Sequence, residues 1–590
     1  MRLKQAIVWI LLVGLIVEIG AEASSRHCFH KSLTSLTEAM RVELQAGRKL
    51  RHAEPFRLIS GWPSSSQKSN SGGTQTEYRW HSFVWDLRIQ LQCDAEGAID
   101  AITIGSGSVP LLRAPLQTIQ QLTVDAPPPD QRPVRGMSAA GPRAFVLEQR
   151  GDGFSQHSTE RGRLFGEVVR QALLNTARDE RGLQTRDATL GDLMPDDENA
   201  AFSQFAVITA IDAQRRMQFD VERQHADGRP SLVASFRFQL SPGPLIEELV
   251  ARMDAMTTYE LPRLLMHIGY SGAPHRHLGN GKITEETSRN LDEFGILSQF
   301  AAVRALHSQI YNEGESSARL TALARGYAQL AALCRYLSSP AANAFGARGL
   351  LYTEHYRRLA LGGSFAHWQR GYVRALVGLH ASALDDLKRA LDESGGAPPP
   401  DWSAAIEAFC RGDPDESLGR PEPPSVHKLQ CFLRLLAVGS DESPAVRLES
   451  AALMLSVQPD CELAFDVALD NAAPEIQSRM SVQAIERFSA RLRDYLRSNA
   501  DIPDDIRELA DGPTGTLESE FRFQSRTIAA MRQAGSIDLD GGEPSLAVLA
   551  HLIDEIRFAQ VCRLLYREKF PVAVAPAHFW PPLGISGQVP

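Results

Sequence analysis

Residues 264–277 hold the densest set of side chains able to do chemistry: Leu264-Leu265-Met266-His267-Ile268-Gly269-Tyr270-Ser271-Gly272-Ala273-Pro274-His275-Arg276-His277. A nucleophile elbow needs Gly-x-Ser-x-Gly after a buried strand, because only small neighbours tolerate the strained turn that lifts the serine. Here the fifth position is Ala273, and no alternation of strands and helices surrounds it. Ser271, His275 and His277 are thus the catalytic candidates of a hydrolase whose motif is incomplete. His275 and His277 fall on one side of an extended stretch, with His267 nearby, as a metal-binding pair requires. No Asp, Glu or Cys stands at ligand spacing beside them, so an exposed turn rich in glycine and histidine competes with a metal site at His267, His275 and His277.

Two other polar clusters resolve into helix starts. Asn280-Gly281-Lys282-Ile283-Thr284-Glu285-Glu286 has the glycine of a calcium-binding loop, but it would place Arg276, Leu278 and Thr287 where carboxylates must coordinate. It reads instead as a turn leading into a helix. Asp538-Leu539-Asp540-Gly541-Gly542-Glu543 gathers three carboxylates ahead of a long helix expected from Ser545 to Lys569, where negative charge favours the helix amino terminus. No cofactor is implied.

Residues 1–23 have the three parts of a cleavable secretory signal: cationic Arg2 and Lys4, an apolar run from Ala6 to Val17, and Ala21-Glu22-Ala23 as the cleavage site. The run is too short for a spanning helix, which needs about 20 residues, and no later stretch supplies one. The expected protein is exported, periplasmic or secreted, with no integral membrane segment after cleavage. A net charge of -9 gives it no electrostatic reason to seek nucleic acid or an anionic membrane. Seven cysteines are sparse for 590 residues. Cys28 and Cys93 bracket the first segment and are the disulfide candidates, whereas Cys334, Cys410, Cys431, Cys461 and Cys562 sit in helix-like surroundings as buried thiols.

Residues 24–243 read as an α+β region, an antiparallel sheet with helices, open to division into two subdomains near 105–143. An amphipathic helix carries Leu33, Leu36, Met40 and Leu44, and a Ser/Gly-rich loop runs from Ser64 to Thr74. Alternation from Phe83 to Cys93 and from Ile99 to Ile104 predicts a hairpin. Trp80, Phe83 and Trp85 offer a recognition surface there or cover a sheet edge. Residues 105–143, rich in Gly and Pro, read as a linker. A helix over Arg163 to Ala177 precedes a three-strand meander over Phe205–Ile211, Met217–Val221 and Leu232–Leu240.

After Pro242-Gly243-Pro244 the period turns helical. Ile246, Leu249, Val250, Met253 and Met256 form one stripe, and Leu297, Phe300, Ala301, Val303, Leu306 and Ile310 another. The expected divisions are a helical-repeat domain at 245–394, a Pro/Gly-rich linker at 395–425, a second helical domain at 426–570 and a Pro-rich tail at 571–590. Phe365, Trp368 and Tyr372 are spaced as helix core. The chain as a whole is expected to be multidomain, its α+β region followed by an all-α half.

Arg325-Gly326-Tyr327 recurs as Arg370-Gly371-Tyr372, each inside a helix followed by a second helix. Gly371 falls at the small position of a first helix, Gly378 before the turn, and Ala383, Leu387 and Ala390 at small, large and small positions of the second. The stretch at about 315–392, with another end at 443–470, resembles a divergent tetratricopeptide-like repeat, although its spacing exceeds the roughly 34 residues of that family. The resemblance implies stacked helical hairpins, a solenoid whose concave face binds a protein or peptide partner. It implies no catalytic residue. The competing expectation is an exported hydrolase or metal-dependent enzyme using 267–277.

Overall fold

The computed structural model describes residues 64–115 and 145–149 as backbone strands with breaks between them, parts of 160–240, and most of 241–569. Residues 1–23, Cys28, the helix expected around Leu33–Leu44, Ser271, His275 and the tail at 571–590 lie outside the described residues, as does the side chain of Cys93 and hence any Cys28–Cys93 pairing.

Strands β1 (Ser64–Asn70), β2 (Gly73–His81), β3 (Asp86–Cys93), β4 (Ile99–Ser106) and β5 (Val109–Pro115) form one antiparallel meander in chain order. The expected β3–β4 hairpin is present, with Leu91 opposite Ile102. Its neighbours differ from expectation. The stretch read as a Ser/Gly-rich loop is the β1–β2 hairpin, Ser64 opposite Arg79, and the segment read as a linker after residue 105 begins with β5. β1 is Ser-Ser-Ser-Gln-Lys-Ser-Asn, so it has no apolar alternation to detect and is defined by its backbone ladder alone.

The second sheet has the order β10-β9-β8-β6-β7, from β6 (Phe145–Gln149), β7 (Thr185–Asp187), β8 (Gln204–Ile211), β9 (Arg216–Gln224) and β10 (Pro230–Gln239). β8, β9 and β10 are the antiparallel meander read from the sequence. β6 runs parallel to both β7 and β8, which an all-antiparallel reading did not contain. The reason is helix α1 (Glu160–Asn175) between β6 and β7, since a parallel pair needs a long crossover. Phe205, Val207, Met217, Phe219 and Val221 are buried on the meander, and Phe219 stacks on Phe236 with centroids 4.6 Å apart.

Sixteen further helices follow among the described residues: α2 (Leu245–Thr257), α3 (Glu260–His267), α4 (Glu285–Leu291), α5 (Ile296–Glu313), α6 (Ser317–Leu333), α7 (Ala341–Arg358), α8 (Gly363–Leu376), α9 (His380–Glu393), α10 (Ser403–Arg411), α11 (Pro424–Ala437), α12 (Pro444–Val457), α13 (Glu462–Asn471), α14 (Pro474–Ser498), α15 (Asp504–Arg507), α16 (Leu517–Gly535) and α17 (Leu546–Lys569). The stripes read on α2 and α5 are buried apart from Ile310, which is partly covered. Thr284 caps α4, its hydroxyl accepting from the Thr287 N–H at 3.2 Å. Among the described residues, no helix is long and apolar enough to cross a membrane.

The segment read as a linker at 395–425 contains α10, whose Ile406 and Phe409 join the core. Trp402, just before it, meets Trp368 and Tyr372 edge-on with centroids 6.5 and 5.1 Å away. The preceding prolines interrupt any helical period, so a nine-residue helix beyond them is hard to read. Phe365, expected with Trp368 and Tyr372 in the core, is 44% exposed.

Glycines set how closely the helices approach. A Cβ on Gly326 would stand 2.8 Å from Val303 Cγ2 of α5, and one on Gly371 2.9 Å from Leu387 Cδ2 of α9. The first glycine of the sequence echo thus faces the preceding helix and the second the following one. α6 and α7 come together through Gly349 instead, where a Cβ would lie 3.2 Å from the Ala324 carbonyl oxygen. The tightest crossing joins α16 to α17: a Cβ on Gly535 would be 2.3 Å from the Ala547 backbone nitrogen, which no side-chain rotation relieves. Gly535→Ala is expected to lower stability by about 1–3 kcal/mol, the usual cost of overpacking, read as the denaturant midpoint. An unchanged midpoint means that α16 and α17 separate freely.

Candidate functional site

His267 ends α3 and is exposed, and His277 is exposed as well. The part of the segment around His277 acts as a brace. Its carbonyl accepts from the Glu315 N–H, and the Gly279 N–H donates to the Glu315 carbonyl, each at 2.7 Å. The His277 ring lies against Gly314, where φ is +87° and a Cβ would be 2.8 Å from His277 Cδ2. Glu315 is gripped in turn by His355 Nε2 at 2.9 Å. A Cβ on Gly281 would run into the buried Arg319 guanidinium, which donates to the Gly314 carbonyl at 2.9 Å. Ser271 and His275 are outside the described residues. No group of three His, Cys, Asp or Glu residues among the described residues is placed to hold a metal ion.

A cleft with a perturbed carboxyl lies elsewhere. It is lined by Asp460, Cys461, Glu462 and Asp466 at the start of α13, by Arg487 and Arg491 of α14, by Ile556 and Gln560 of α17, and by Tyr336. Glu462 Oε2 accepts from the Ile296 N–H at 3.2 Å, so the carboxyl sits on the positive end of α5. Burial pushes the Glu462 carboxyl up to about 7, against the pull of Arg491 and the Ile296 N–H, so it shares its proton near neutrality. Arg491 pairs with Asp460 at 2.7 Å and donates to Ser298 Oγ at 2.6 Å and Glu293 at 3.2 Å. Arg487 donates to the Pro459 carbonyl at 2.7 Å while its guanidinium covers Phe465 at 4.9 Å.

Among the described residues, the shielded atoms Glu462 Oε1, Arg491 Nε and Gln560 Oε1 there have no hydrogen-bond partner. The cavity, about 30 Å³, has room for ordered water. The arrangement can hold a small polar molecule and exchange a proton with it. It is too small to enclose an organic substrate, which takes a few hundred Å³. Burial and the neighbouring Glu462 push the Cys461 thiol well above its ordinary value, which leaves it a poor nucleophile near neutral pH.

Sequence patterns gave no sign of this cleft. Glu462 and Ile296 are 166 positions apart, and neither lies in a motif. The nearest sequence signal is the run Pro459-Asp460-Cys461-Glu462, two acids at a helix start, which reads as ordinary capping.

The sign of the pH dependence follows from proton counts. Glu462 keeps its proton up to about 7 in the folded chain, against an ordinary value of 4.5, so between those values the folded chain holds more protons and rising pH weakens it. Burial pushes Glu555 up to about 7 as well, in the same direction. His380 and His551, pushed down to about 4 by burial, act oppositely between there and 6.5. Glu462→Gln isolates the first effect: the variant is expected to gain stability relative to the unsubstituted chain as pH rises from 5 to 8. A stability difference that stays constant over that range contradicts the assignment.

No protein-family model, no curated protein and no solved structure matches the chain.

Proposed function

We propose that this is an exported scaffold that binds a protein or peptide through its helical half, arranged as stacked tetratricopeptide-like hairpins. The observation that carries this reading is the set of large apolar side chains left in water where the helical half begins: Tyr259 at 61%, Met266 at 49%, Leu278 at 70% and Tyr311 at 44% exposure. Leu278 is bridged to Glu315, just beyond Tyr311 at the end of α5, so these two side chains stand on a braced frame. Exposed aromatic and aliphatic residues on a rigid support are what a partner's apolar anchor uses. The α8–α9 hairpin, in which Gly371 lets Leu387 and Ala383 approach, supports the repeat reading. A net charge of -9 suits a polypeptide partner better than a nucleic acid.

The test uses the purified full chain against a displayed peptide library, followed by titration of the selected peptide. Leu278→Asp and Tyr311→Asp are each expected to weaken binding at least tenfold without lowering the melting temperature. Selection of no peptide, or binding that survives both changes, removes the reading. Stoichiometric bound metal, together with a hydrolase activity lost in His277→Ala, favours the enzyme alternative at 267–277 instead.

A further inference from the structure

Ser339 stands two residues before α7, and its Oγ lies 2.8 Å from Nε2 of His551 on α17, 212 positions away. Both residues are partly exposed. The hydroxyl is anchored: Oγ accepts from the Ala341 N–H at 3.1 Å, which occupies one lone pair and leaves its proton available to the imidazole in the tautomer that carries hydrogen on Nδ1. Burial first, then the neighbouring Arg532, holds the ring neutral, with its value pushed down to about 4. A neutral ring whose Nε2 carries a lone pair is what a serine needs in order to lose its proton.

The surroundings favour a developing anion at Ser339. The Asn343 and Ala344 N–H groups bond to the Pro340 carbonyl, while the Ala342 N–H, in the first turn, has no helical acceptor. The eighteen-residue α7 directs its positive end toward the same place. The other charges near His551 are Asp554, which is held by Arg532 at 2.7 Å, and Asp187. Neither is hydrogen-bonded to the imidazole, so an imidazolium is weakly supported and the leaving group must depart readily.

We propose that Ser339 and His551 form a nucleophile–base pair that transfers the acyl group of activated esters, a site separate from the binding surface at Leu278 and Tyr311. Oγ bonds to the ester carbonyl carbon as its proton passes to Nε2, and the oxyanion forms beside the first turn of α7. Collapse breaks the bond to the leaving oxygen, which takes the proton from Nε2. Water, giving a proton to His551 as it attacks, then releases the carboxylic acid and restores Ser339.

The pair is tested on the full chain with a fluorophosphonate probe, in which Oγ–P bond formation expels fluoride. Intact mass and peptide mapping are expected to find one adduct, on Ser339. Ser339→Asn retains a side-chain acceptor for the Ala341 N–H and is expected to abolish labelling. His551→Gln, which can still hydrogen-bond to the serine, is expected to slow labelling at least tenfold with an unchanged melting temperature. Absence of an adduct on the folded chain, an adduct on another residue alone, or undiminished labelling of His551→Gln overturns the proposal. Peptide binding by Ser339→Asn reports on the scaffold reading separately, because that variant leaves Leu278 and Tyr311 untouched.

Discussion

Arg348 of α7 reaches across to the helix that covers the sheet, donating from Nε to Gln171 Oε1 at 2.6 Å and from Nη1 to the Tyr327 hydroxyl at 3.0 Å. That bridge is the consequence of one constraint: α1 is buried along its length from Leu164 to Asn175, yet carries Glu167, Arg170 and Gln171. A helix buried on every side must find its polar partners in other elements. Arg170 pairs with Glu167 of its own helix and with Asp187 of β7, and Gln171 donates to Asp187 at 3.0 Å. From Arg348 the network continues through Tyr327 to His307 Nε2 at 2.8 Å. Burial holds the His307 ring neutral and raises the Glu167 carboxyl, the latter against the pull of Arg170. Removing one partner from such a network leaves an uncompensated charge, a cost of about 3–5 kcal/mol. The sheet and the first helical pairs are therefore held in one arrangement by polar geometry as well as by apolar burial.

Around that junction, close packing depends on residues without side chains. Gly326, Gly349, Gly371 and Gly535 mark places where one helix presses on another, and most of the buried apolar residues described from Leu164 to Ile556 form one contiguous cluster. The same economy operates at the segment that looked most chemical in the sequence. Gly279, Gly281 and Gly314 are where they are because backbone and the Arg319 guanidinium occupy the space a Cβ would need. The glycines around His277 thus serve a tight crossing of two chain segments.

The perturbed groups sit where distant helices converge. Glu462 is held against the start of α5, and His551 against Ser339, two residues before α7. In both places a titratable side chain largely withdrawn from water lies near a helix amino terminus, with opposite results: the carboxyl is pushed up and the imidazole down. Desolvation disfavours the charged form of either group.

Local patterns in the sequence determined much of the secondary structure. Alternation in Ala234–Leu240 and a helical stripe in Ile246–Met256 each record which side of an element is buried, and the structure has β10 and α2 there, whereas Leu232, read on the same inward face, is 62% exposed because the register shifts between Leu232 and Ala234. Such signals need an apolar face and several residues of period. β1, which is wholly polar, and α10, which follows a run of prolines, lack one or the other, so only pairing and packing reveal them. The parallel placement of β6, the facing of the two Arg-Gly-Tyr copies, the Glu462 cleft and the Ser339–His551 pair were decided by tertiary structure alone. Periodicity is a property of neighbours in the chain, whereas a buried polar group is satisfied by whichever distant residue the fold brings within 3 Å.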